Sequence, residues 1–218
     1  MNHRVIVTCG PSYEPIDEVR RITNFSTGDL GLALAKALAD AGATVTCFRG
    51  VMATSPRPAR IGKTIGFSTN DDLRAKLEAV ADRSGIAAVF HVAALADFRV
   101  LQTSDERKIS SRDGELTLTL VPATKLIGSL GQLFPNARIV GWKYELDGSP
   151  ADAIEKGRRQ LKENGSDACV VNGAAYGPGF GFLTPEGGHR SITGKAELCA
   201  FLVKWLQDGV LENEFDSP

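Results

Sequence analysis

The sequence predicts a three-layer α/β fold with a mainly parallel sheet and a flap or antiparallel insertion. Strand-like and helix-like segments alternate along the 218 residues, as they do in parallel sheets whose connections are helices. Residues 87–92 (AAVFHV) are apolar almost throughout, which is typical of a strand buried on both faces. The length fits one domain, so residues 1–218 are predicted to form a single domain.

The predicted elements follow one another in a regular order. Strands are predicted at residues 4–9, 43–48, 87–92, 138–142 and 167–171. Helices are predicted at residues 30–41, 71–83, 151–163 and 195–206, with Asn70 as the N-cap of the second helix. Two regions interrupt the alternation. Polar residues 102–114 predict a mobile flap that leads into an antiparallel strand at 115–121, and the Gly/Pro-rich residues 173–188 predict a surface loop.

Composition argues against several classes of protein. The 25 Lys and Arg residues balance 26 Asp and Glu residues without a long basic run, which disfavours nucleic acid or an anionic membrane as a partner. No run approaches about 18 apolar residues and the first residues do not resemble a signal peptide, so a cytoplasmic location is expected. The four cysteines are far apart and are interpreted as reduced packing residues: Cys9, Cys47, Cys169 and Cys199.

The loop after the first predicted strand is the first candidate site, because ligands of open parallel sheets bind beyond the carboxyl ends of the strands. Its small and hydroxyl residues can present backbone N–H groups and a helix N-terminus to a phosphate or carboxylate. These residues are Gly10, Ser12, Ser26, Thr27 and Gly28. Helix capping by the last three is the alternative reading; Arg20 could form a surface ion pair and Asn24 could be a turn residue. The G-x-G-x-x-G pattern of dinucleotide folds is absent, which disfavours an NAD(P)-dependent reductase.

The segment after residues 87–92 is the second candidate. Ala93 and Ala94 would let a flat ring approach the backbone, and Asp97 can hold a sugar hydroxyl, a base or Mg²⁺. A helix N-cap or a pair with Arg99 is an equally good reading of Asp97. His91, inside the apolar run, is interpreted as a core histidine.

Two further candidates carry positive charge or an amide. Lys108 lies on the predicted flap, where a lysine can close over phosphates. Asn172 directly follows a predicted strand, and the preceding helix carries four cations: Lys156, Arg158, Arg159 and Lys162. These cations could face a triphosphate, but the same pattern is typical of a solvated helix surface.

Taken together, the motifs resemble the phosphopantothenoylcysteine synthetase (phosphopantothenate–cysteine ligase) family as a stand-alone synthetase domain. They are TCGPSYEPIDEVRRITNFSTGDLG at residues 8–31, HVAALADFR at 91–99, KIS at 108–110 and a strand ending in Asn172. The resemblance implies a Rossmann-like fold, a homodimer, and ligation of 4′-phosphopantothenate to L-cysteine through an acyl-nucleotide. It implies CTP or ATP as co-substrate with Mg²⁺. It implies no flavin, because the decarboxylase half is absent, and leaves a separate phosphopantothenoylcysteine decarboxylase as a partner.

The resemblance also implies roles for individual residues. Asn24 would contact the acyl-nucleotide carbonyl and Lys108 would act in the second step. Arg20, Asn24, Ser26, Thr27 and Gly28 would bind the acid substrate. The residues implied to bind the nucleotide are Gly10, Ser12, Ala93, Ala94, Asp97, Lys108 and Trp142, with Asp97 also as the metal ligand.

Several positions depart from the family pattern. Ala123-Thr124-Lys125-Leu126 stands where an Asn/Thr-Pro-Asp-Ile run is usual, so a base replaces an acid. Residues 141–145 read GWKYE instead of Gly-Phe-Ala-x-Glu, and two expected lysines fall on Gln160 and Asn164. These changes leave open a catalytically eroded or repurposed protein that binds a nucleotide, a pantothenate-like ligand or a protein partner. They also leave the choice between CTP and ATP open.

Overall fold

The predicted three-layer α/β architecture is confirmed. The computed structural model describes residues 3–101, 107–112 and 114–208. In chain order the strands are β1 (Arg4–Cys9), β2 (Tyr13–Pro15), β3 (Arg21–Thr23), β4 (Thr44–Gly50), β5 (Lys63–Phe67), β6 (Ile86–His91), β7 (Phe98–Val100), β8 (Leu120–Pro122), β9 (Arg138–Tyr144), β10 (Ala168–Asn172), β11 (Phe180–Leu183) and β12 (His189–Ile192). The helices are α1 (Asp29–Asp40), α2 (Asn70–Glu78), α3 (Ile127–Leu133), α4 (Pro150–Asn164) and α5 (Lys195–Asp208). Among them, none is both long and apolar enough to cross a lipid bilayer.

The main sheet has eight strands in the order β12-β11-β10-β9-β6-β1-β4-β5. From β10 to β5 the neighbours are parallel, whereas β10–β11 and β11–β12 are antiparallel. The chain leaves β1 toward β4 and β5 and then returns to β6 on the other side of β1. This reversal creates a topological switch point between β1 and β6, where open α/β sheets form their ligand crevice.

Three hydrophobic clusters cover the sheet, and the smallest of them packs α4 against β10 and β11 through residues such as Leu161 and Leu183. On one face, α1 and α5 pack against β1 and β6 through residues such as Leu34, Leu38 and Trp205. On the other, α2 and α3 pack through Leu73 and Phe134. All four cysteines are buried and free, which confirms their interpretation as reduced packing residues.

Some predicted elements were wrong in extent. The second helix ends at Glu78, not at residue 83, and its N-cap is Thr69, whose side chain accepts a hydrogen bond from the N–H of Asp72 at 3.1 Å. The predicted N-cap Asn70 is the first helical residue, and its side chain bonds elsewhere. Ala79 is the C-cap of the helix, and residue 83 belongs instead to a short 3₁₀ helix, Arg83–Gly85, whose N-cap Asp82 has a left-handed conformation at φ 48°.

The predicted surface loop at 173–188 was also wrong, because β11 lies inside it and pairs with β10 and β12. Five features of the structure had no predicted element: β5, β7, α3, β12 and the hairpin β2–β3. The predicted antiparallel strand at 115–121 shrinks to β8, which pairs with β7 apart from the main sheet. Within the predicted flap, residues 102–106 and 113 lie outside the described part of the chain.

Substitution of Gly31 tests how closely α1 approaches β1. An added Cβ would lie 2.4 Å from the Cβ of Cys9, so Gly31→Ala is expected to lower the free energy of unfolding by about 1–3 kcal/mol through overpacking. Gly131→Ala in α3 is the control, because no atom lies within 4 Å of its added Cβ. Urea denaturation measures both variants, and equal stability of the two would contradict the close approach.

Candidate functional site

A cavity of about 900 Å³ opens at the switch point, beyond the carboxyl ends of β1, β6, β9 and β10. It brings together predicted site residues from distant parts of the sequence. Those that line it are Gly10, Asn24, Ser26, Thr27, Gly28, Ala93, Ala94, Asp97 and Trp142. Lys125, Gln160 and Asn172 line the same cavity. Ser12, Arg20, Lys108 and Asn164 are not part of this lining.

The N-terminus of α1 forms one wall of the cavity. Gly28 caps the helix at φ 78°, a conformation that favours glycine, and it supplies no side chain to the first-turn N–H groups. The Thr27 hydroxyl accepts a hydrogen bond from the N–H of Asp29 at 3.3 Å. Thr27 therefore binds the first helical N–H from the position before the N-cap, while the helix has no side-chain cap and its first residues line the cavity. This geometry suits a phosphate or carboxylate.

The segment Ala93–Asp97 forms a second wall and is tied to the rest of the site by short bonds. The Ala94 N–H donates to the carbonyl of Gly10 at 3.0 Å. The Ser12 hydroxyl accepts from the Ala96 N–H at 2.8 Å, and the Asn24 amide donates to the Leu95 carbonyl at 2.9 Å. Ser12 is completely buried, so its contact fixes the wall from behind.

His91 supports the start of this wall. It is buried, as the core-histidine reading expects, and its Nδ1 lies 2.9 Å from the Thr8 hydroxyl. That hydroxyl accepts from the Ala93 N–H at 3.3 Å. Burial lowers the pKa of His91 to about 4, so the ring is neutral at pH 7. In the neutral ring, an unprotonated Nδ1 can accept a hydrogen bond from the Thr8 hydroxyl.

Asp97 lies exposed at the rim of the cavity. Its backbone carbonyl accepts from the Ala123 N–H at 2.8 Å, which joins the wall to the segment before α3. Neither alternative for this residue is observed: within the described residues its carboxylate forms no ion pair with Arg99, and it caps no described helix. The described chain contains no cluster of three metal-ligating His, Cys, Asp or Glu residues.

The positive charge near β9 is largely neutralised. Glu145 lies 3.0 Å from the Lys143 amine and also binds Lys156. Burial alone would raise the pKa of Glu145, but the two lysines outweigh it and hold the pKa below its ordinary value. Lys125 lines the cavity with no ion-pair partner in the described chain.

Of the candidate residues on α4, Gln160 lines the cavity, whereas Lys156, Arg158 and Asn164 form contacts with other parts of the protein. The Gln160 amide donates to the Trp142 carbonyl at 3.3 Å, and the Asn164 amide donates to the Gln160 carbonyl at 2.7 Å. Arg158 donates to the Gly187 carbonyl at 3.1 Å. Together with Lys156, which binds Glu145, these contacts favour the solvated-helix reading for part of the predicted cation cluster.

Arg20 and Lys108 lie outside the cavity lining. They belong to a group of contacts around the buried carboxylate of Asp17. This carboxylate accepts from the backbone N–H groups of Val19 (2.8 Å), Arg20 (2.6 Å) and Ile109 (3.1 Å). It also pairs with the Arg20 guanidinium at 2.7 Å, which donates to the Ile109 carbonyl. Arg20 is thus in an ion pair, and Lys108 is exposed beside Ile109. Their roles in substrate binding and catalysis stay predictions.

Asn70 is a cavity residue that sequence reasoning assigned only to a helix cap. It is 9% exposed, and its amide N–H donates to the Ala96 carbonyl at 2.9 Å. Its Oδ1 is buried and has no hydrogen-bond partner in the described chain. The Nε1 of Trp142 is likewise buried and unpartnered. A buried polar atom left unpaired costs about 1–3 kcal/mol. The sequence around Asn70, Ser-Thr-Asn-Asp, is typical of a turn and does not indicate the hydrogen bond to Ala96.

The chain is similar to known proteins over most of its length. The family model for the DNA/pantothenate metabolism flavoprotein C-terminal domain matches residues 1–193. A cysteine/cysteine sulfinic acid decarboxylase from an unidentified prokaryote is 37% identical over 82% of this chain and 48% of its own length. The coenzyme A biosynthesis bifunctional protein CoaBC of Thermococcus kodakarensis is 34% identical over 78% of this chain and 41% of its own length. The chain thus spans less than half of each relative.

Solved structures share the fold. The DNA/pantothenate metabolism flavoprotein from Streptococcus pneumoniae has a TM-score of 0.83 at 22% identity, covering 94% of this chain and 98% of its own. A Cab2 variant in complex with phosphopantothenate-cysteine has a TM-score of 0.74 at 18% identity, covering 94% and 85%. At these identities the likeness concerns the fold alone.

Asp17→Asn is expected to lower the free energy of unfolding at pH 7, because a neutral amide cannot accept all four hydrogen bonds of the carboxylate. Burial would raise the pKa of Asp17, but the backbone N–H groups and Arg20 hold it below its ordinary value of 3.8. The stabilisation is therefore complete above pH 3.8 and is lost as the pH falls through the lower folded-state pKa.

Chemical denaturation of parent and variant at pH 7 and at several lower values measures this effect. The difference between the two proteins should shrink below pH 3.8, and a difference independent of pH would contradict the assignment. Glu18→Gln is the control, since this carboxylate is exposed beside Arg107 and should contribute little.

Proposed function

The chain belongs to the family of the DNA/pantothenate metabolism flavoprotein C-terminal domain, and from this membership and the site we propose that it ligates 4′-phosphopantothenate to L-cysteine. The reaction uses a nucleoside triphosphate and passes through an acyl-nucleotide, as a step of coenzyme A biosynthesis. CoaBC proteins are named for that pathway, and the Cab2 variant is described in complex with phosphopantothenate-cysteine.

One observation carries the proposal: a single cavity joins Asn24 and the N-terminus of α1 to the wall that ends in Asp97. A carboxylic acid and a nucleotide can therefore lie side by side over the same strand ends. The volume of about 900 Å³ is in the upper part of the range for small-molecule sites. Two polyatomic ligands need such space.

In the first step, an oxygen of the substrate carboxylate attacks the α-phosphorus and pyrophosphate leaves. The reaction needs no protein nucleophile, so positioning and charge stabilisation supply most of the reduction in barrier. The open N–H groups of α1 and the hydroxyls of Ser26 and Thr27 would hold an anionic group. Asn24 would turn its amide from the Leu95 carbonyl to the acyl group.

In the second step, the cysteine amine attacks the acyl carbon, the nucleoside monophosphate leaves and the amide forms as the nitrogen loses its proton. Lys108 would approach from the predicted flap and stabilise the negative charge that develops. Asp17 would hold the neighbouring Ile109 backbone in place. Arg20 would reach the acid substrate only by leaving its pair with Asp17.

Magnesium would enter with the triphosphate. Mg²⁺ prefers substrate phosphates plus one or two carboxylates, and the exposed Asp97 carboxylate at the cavity rim fits that role. The ion would neutralise charge on the phosphates. CTP and ATP are both proposed as co-substrates, and no flavin is required.

Assembly is a further part of the proposal. We infer a homodimer, supported by exposed apolar side chains on and beside β7 and β8: Phe98, Leu101 and Leu120 are 54%, 48% and 42% exposed. A separate phosphopantothenoylcysteine decarboxylase would consume the product, and both proteins would act in the cytoplasm.

The alternative of a repurposed, non-catalytic protein has its own support. Gln160 and Asn164 stand where lysines are expected, and Lys156 binds Glu145 instead of facing the cavity. Calorimetric titration tests this alternative. Tight Mg²⁺-dependent binding of CTP or ATP would argue against loss of function.

Release of pyrophosphate is the primary test. The protein, 4′-phosphopantothenate and each of the four ribonucleoside triphosphates are incubated separately with Mg²⁺. Pyrophosphate is expected from CTP or ATP without cysteine, because the first step precedes amine attack. Product should then form once L-cysteine is added. Absence of pyrophosphate with every triphosphate would overturn the ligase proposal.

Two substitutions separate the steps. Asn24→Asp is expected to reduce pyrophosphate release about 100-fold, since it replaces a donor with a negative charge beside the reacting anions. Lys108→Gln should leave pyrophosphate release near the parent value and slow amide formation.

Asn136→Asp and Lys36→Gln are the matched controls, since both residues are exposed and Asn136 donates only to the Ser84 carbonyl. Mass spectrometry of product together with a pyrophosphate assay distinguishes the steps. Parent-like behaviour of both test variants would show that the roles are misassigned.

A further inference from the structure

We propose that Asn70 selects the nucleobase by accepting a hydrogen bond from the amino group at C4 of cytosine or C6 of adenine, so that these bases are bound in preference to uracil and guanine, which carry an oxygen at that position. The inference rests on the proposed function for the presence of a nucleotide, and it adds a specificity-determining residue. The observation behind it is the buried Oδ1 of a residue that lines the cavity without a partner in the described chain.

The orientation of the Asn70 amide follows from its single bond. The Ala96 carbonyl can only accept, so the amide nitrogen must face it, at 2.9 Å. The oxygen then points away from Ala96 and offers an acceptor. The Ser12 hydroxyl accepts from the N–H of the same Ala96, so the residue whose carbonyl orients Asn70 is also held through the preceding peptide unit.

Asn70 lies where a flat ring would fit. Asn70 bonds to Ala96, and the lining of the same cavity includes Ala93, Leu126 and Ile127, which are small or apolar. This apolar wall belongs to the face of the sheet covered by α2 and α3. The helix end that suits an anion, Gly28 and α1, belongs to the opposite face. A nucleobase at the apolar wall and a phosphate at the N-terminus of α1 would therefore lie on opposite sides of the strand ends.

The acceptor needs a donor that a base can supply. Cytosine carries an amino group at C4 and adenine one at C6, whereas uracil and guanine have carbonyl oxygens at these positions. An oxygen placed opposite Oδ1 would bring two acceptors together and leave both unpaired. Since Oδ1 is shielded from water, a small movement of this wall must accompany binding, and the bond would form only in the complex.

The experiment compares ligands and then variants. Isothermal titration in Mg²⁺ measures binding of CTP, ATP, UTP, GTP and the triphosphate of pyrimidin-2-one riboside, in which hydrogen replaces the amino group of cytosine. The parent protein should bind CTP or ATP at least about tenfold more tightly than UTP, GTP or the analogue. Asn70→Ala should reduce the ratio of CTP to UTP affinity about tenfold or more, or that of ATP to GTP if ATP is preferred.

Asn164→Ala is the matched control, because this asparagine also donates to a carbonyl but lies outside the cavity lining. It should retain the parent's preference. The ligand comparison in the parent protein keeps the test decisive even where Asn70→Ala does not fold.

The outcomes separate this inference from the ligase proposal. Preference for amino bases that depends on Asn70, without pyrophosphate release, would support the inference and overturn the ligase activity. Pyrophosphate release with equal affinity for CTP, UTP and the analogue would do the reverse. An amino-base preference retained by a folded Asn70→Ala variant, or no nucleotide binding at all, would overturn the inference.

Discussion

The geometry of the site depends on how the segment Ala93–Asp97 is held beyond the end of β6. Three side chains from different parts of the sequence bind two adjacent peptide units: Ser12 and Asn70 at Ala96, and Asn24 at Leu95. The parallel pairing of β1 with β6 brings Ser12 to this segment, because it places both carboxyl ends at one edge of the sheet, whereas Asn70 comes from the first turn of α2. A ligand that drew the Asn24 amide away from the Leu95 carbonyl would therefore remove one bond from the wall that we propose faces the nucleotide. The segment Ala93–Asp97 thus connects the part of the cavity around Asn24 with the part around Asn70.

Electrostatics in the cavity are local, and the nearly balanced net charge of the chain says little about them. The N-terminus of α1 contributes partial positive charge, and the Asp29 carboxylate in its first turn is paired with Lys195. Near β9, Glu145 forms ion pairs with Lys143 and Lys156. Lys125 is a cavity-lining cation without an ion-pair partner in the described chain. In the described chain this unpaired cation therefore lies in the segment before α3, whereas the α4 cations are absent from the cavity lining. A triphosphate bound here would be held from a different direction than the family pattern implies.

The sequence could predict what depends on local pattern and on strand ends. Apolar runs identified β1, β6, β9 and β10. Gly10 and Asn24 come from the loop predicted after β1, Asp97 from the segment after β6 and Trp142 from β9 itself, and all four line one cavity. It could not predict β5, since Lys63–Phe67 is half exposed and contains a glycine. It also missed β11, because Gly181 interrupts a four-residue strand within a Gly/Pro-rich region. Short strands of this kind are stabilised by pairing with neighbours and carry little signal of their own.

Contacts between residues far apart in sequence were the other limit. Asp17 binds the backbone at Ile109, and Asn70 binds the carbonyl of Ala96; neither pairing has a sequence period or a motif. Both contacts place a polar side chain in a buried position, where its hydrogen-bonding capacity decides the outcome. Asp17 has all of that capacity satisfied by protein, which makes it structural and explains its lowered pKa. Asn70 has only its donor satisfied, and a protein that keeps an unpaired acceptor at a cavity wall retains the free energy of one hydrogen bond for whatever ligand completes it.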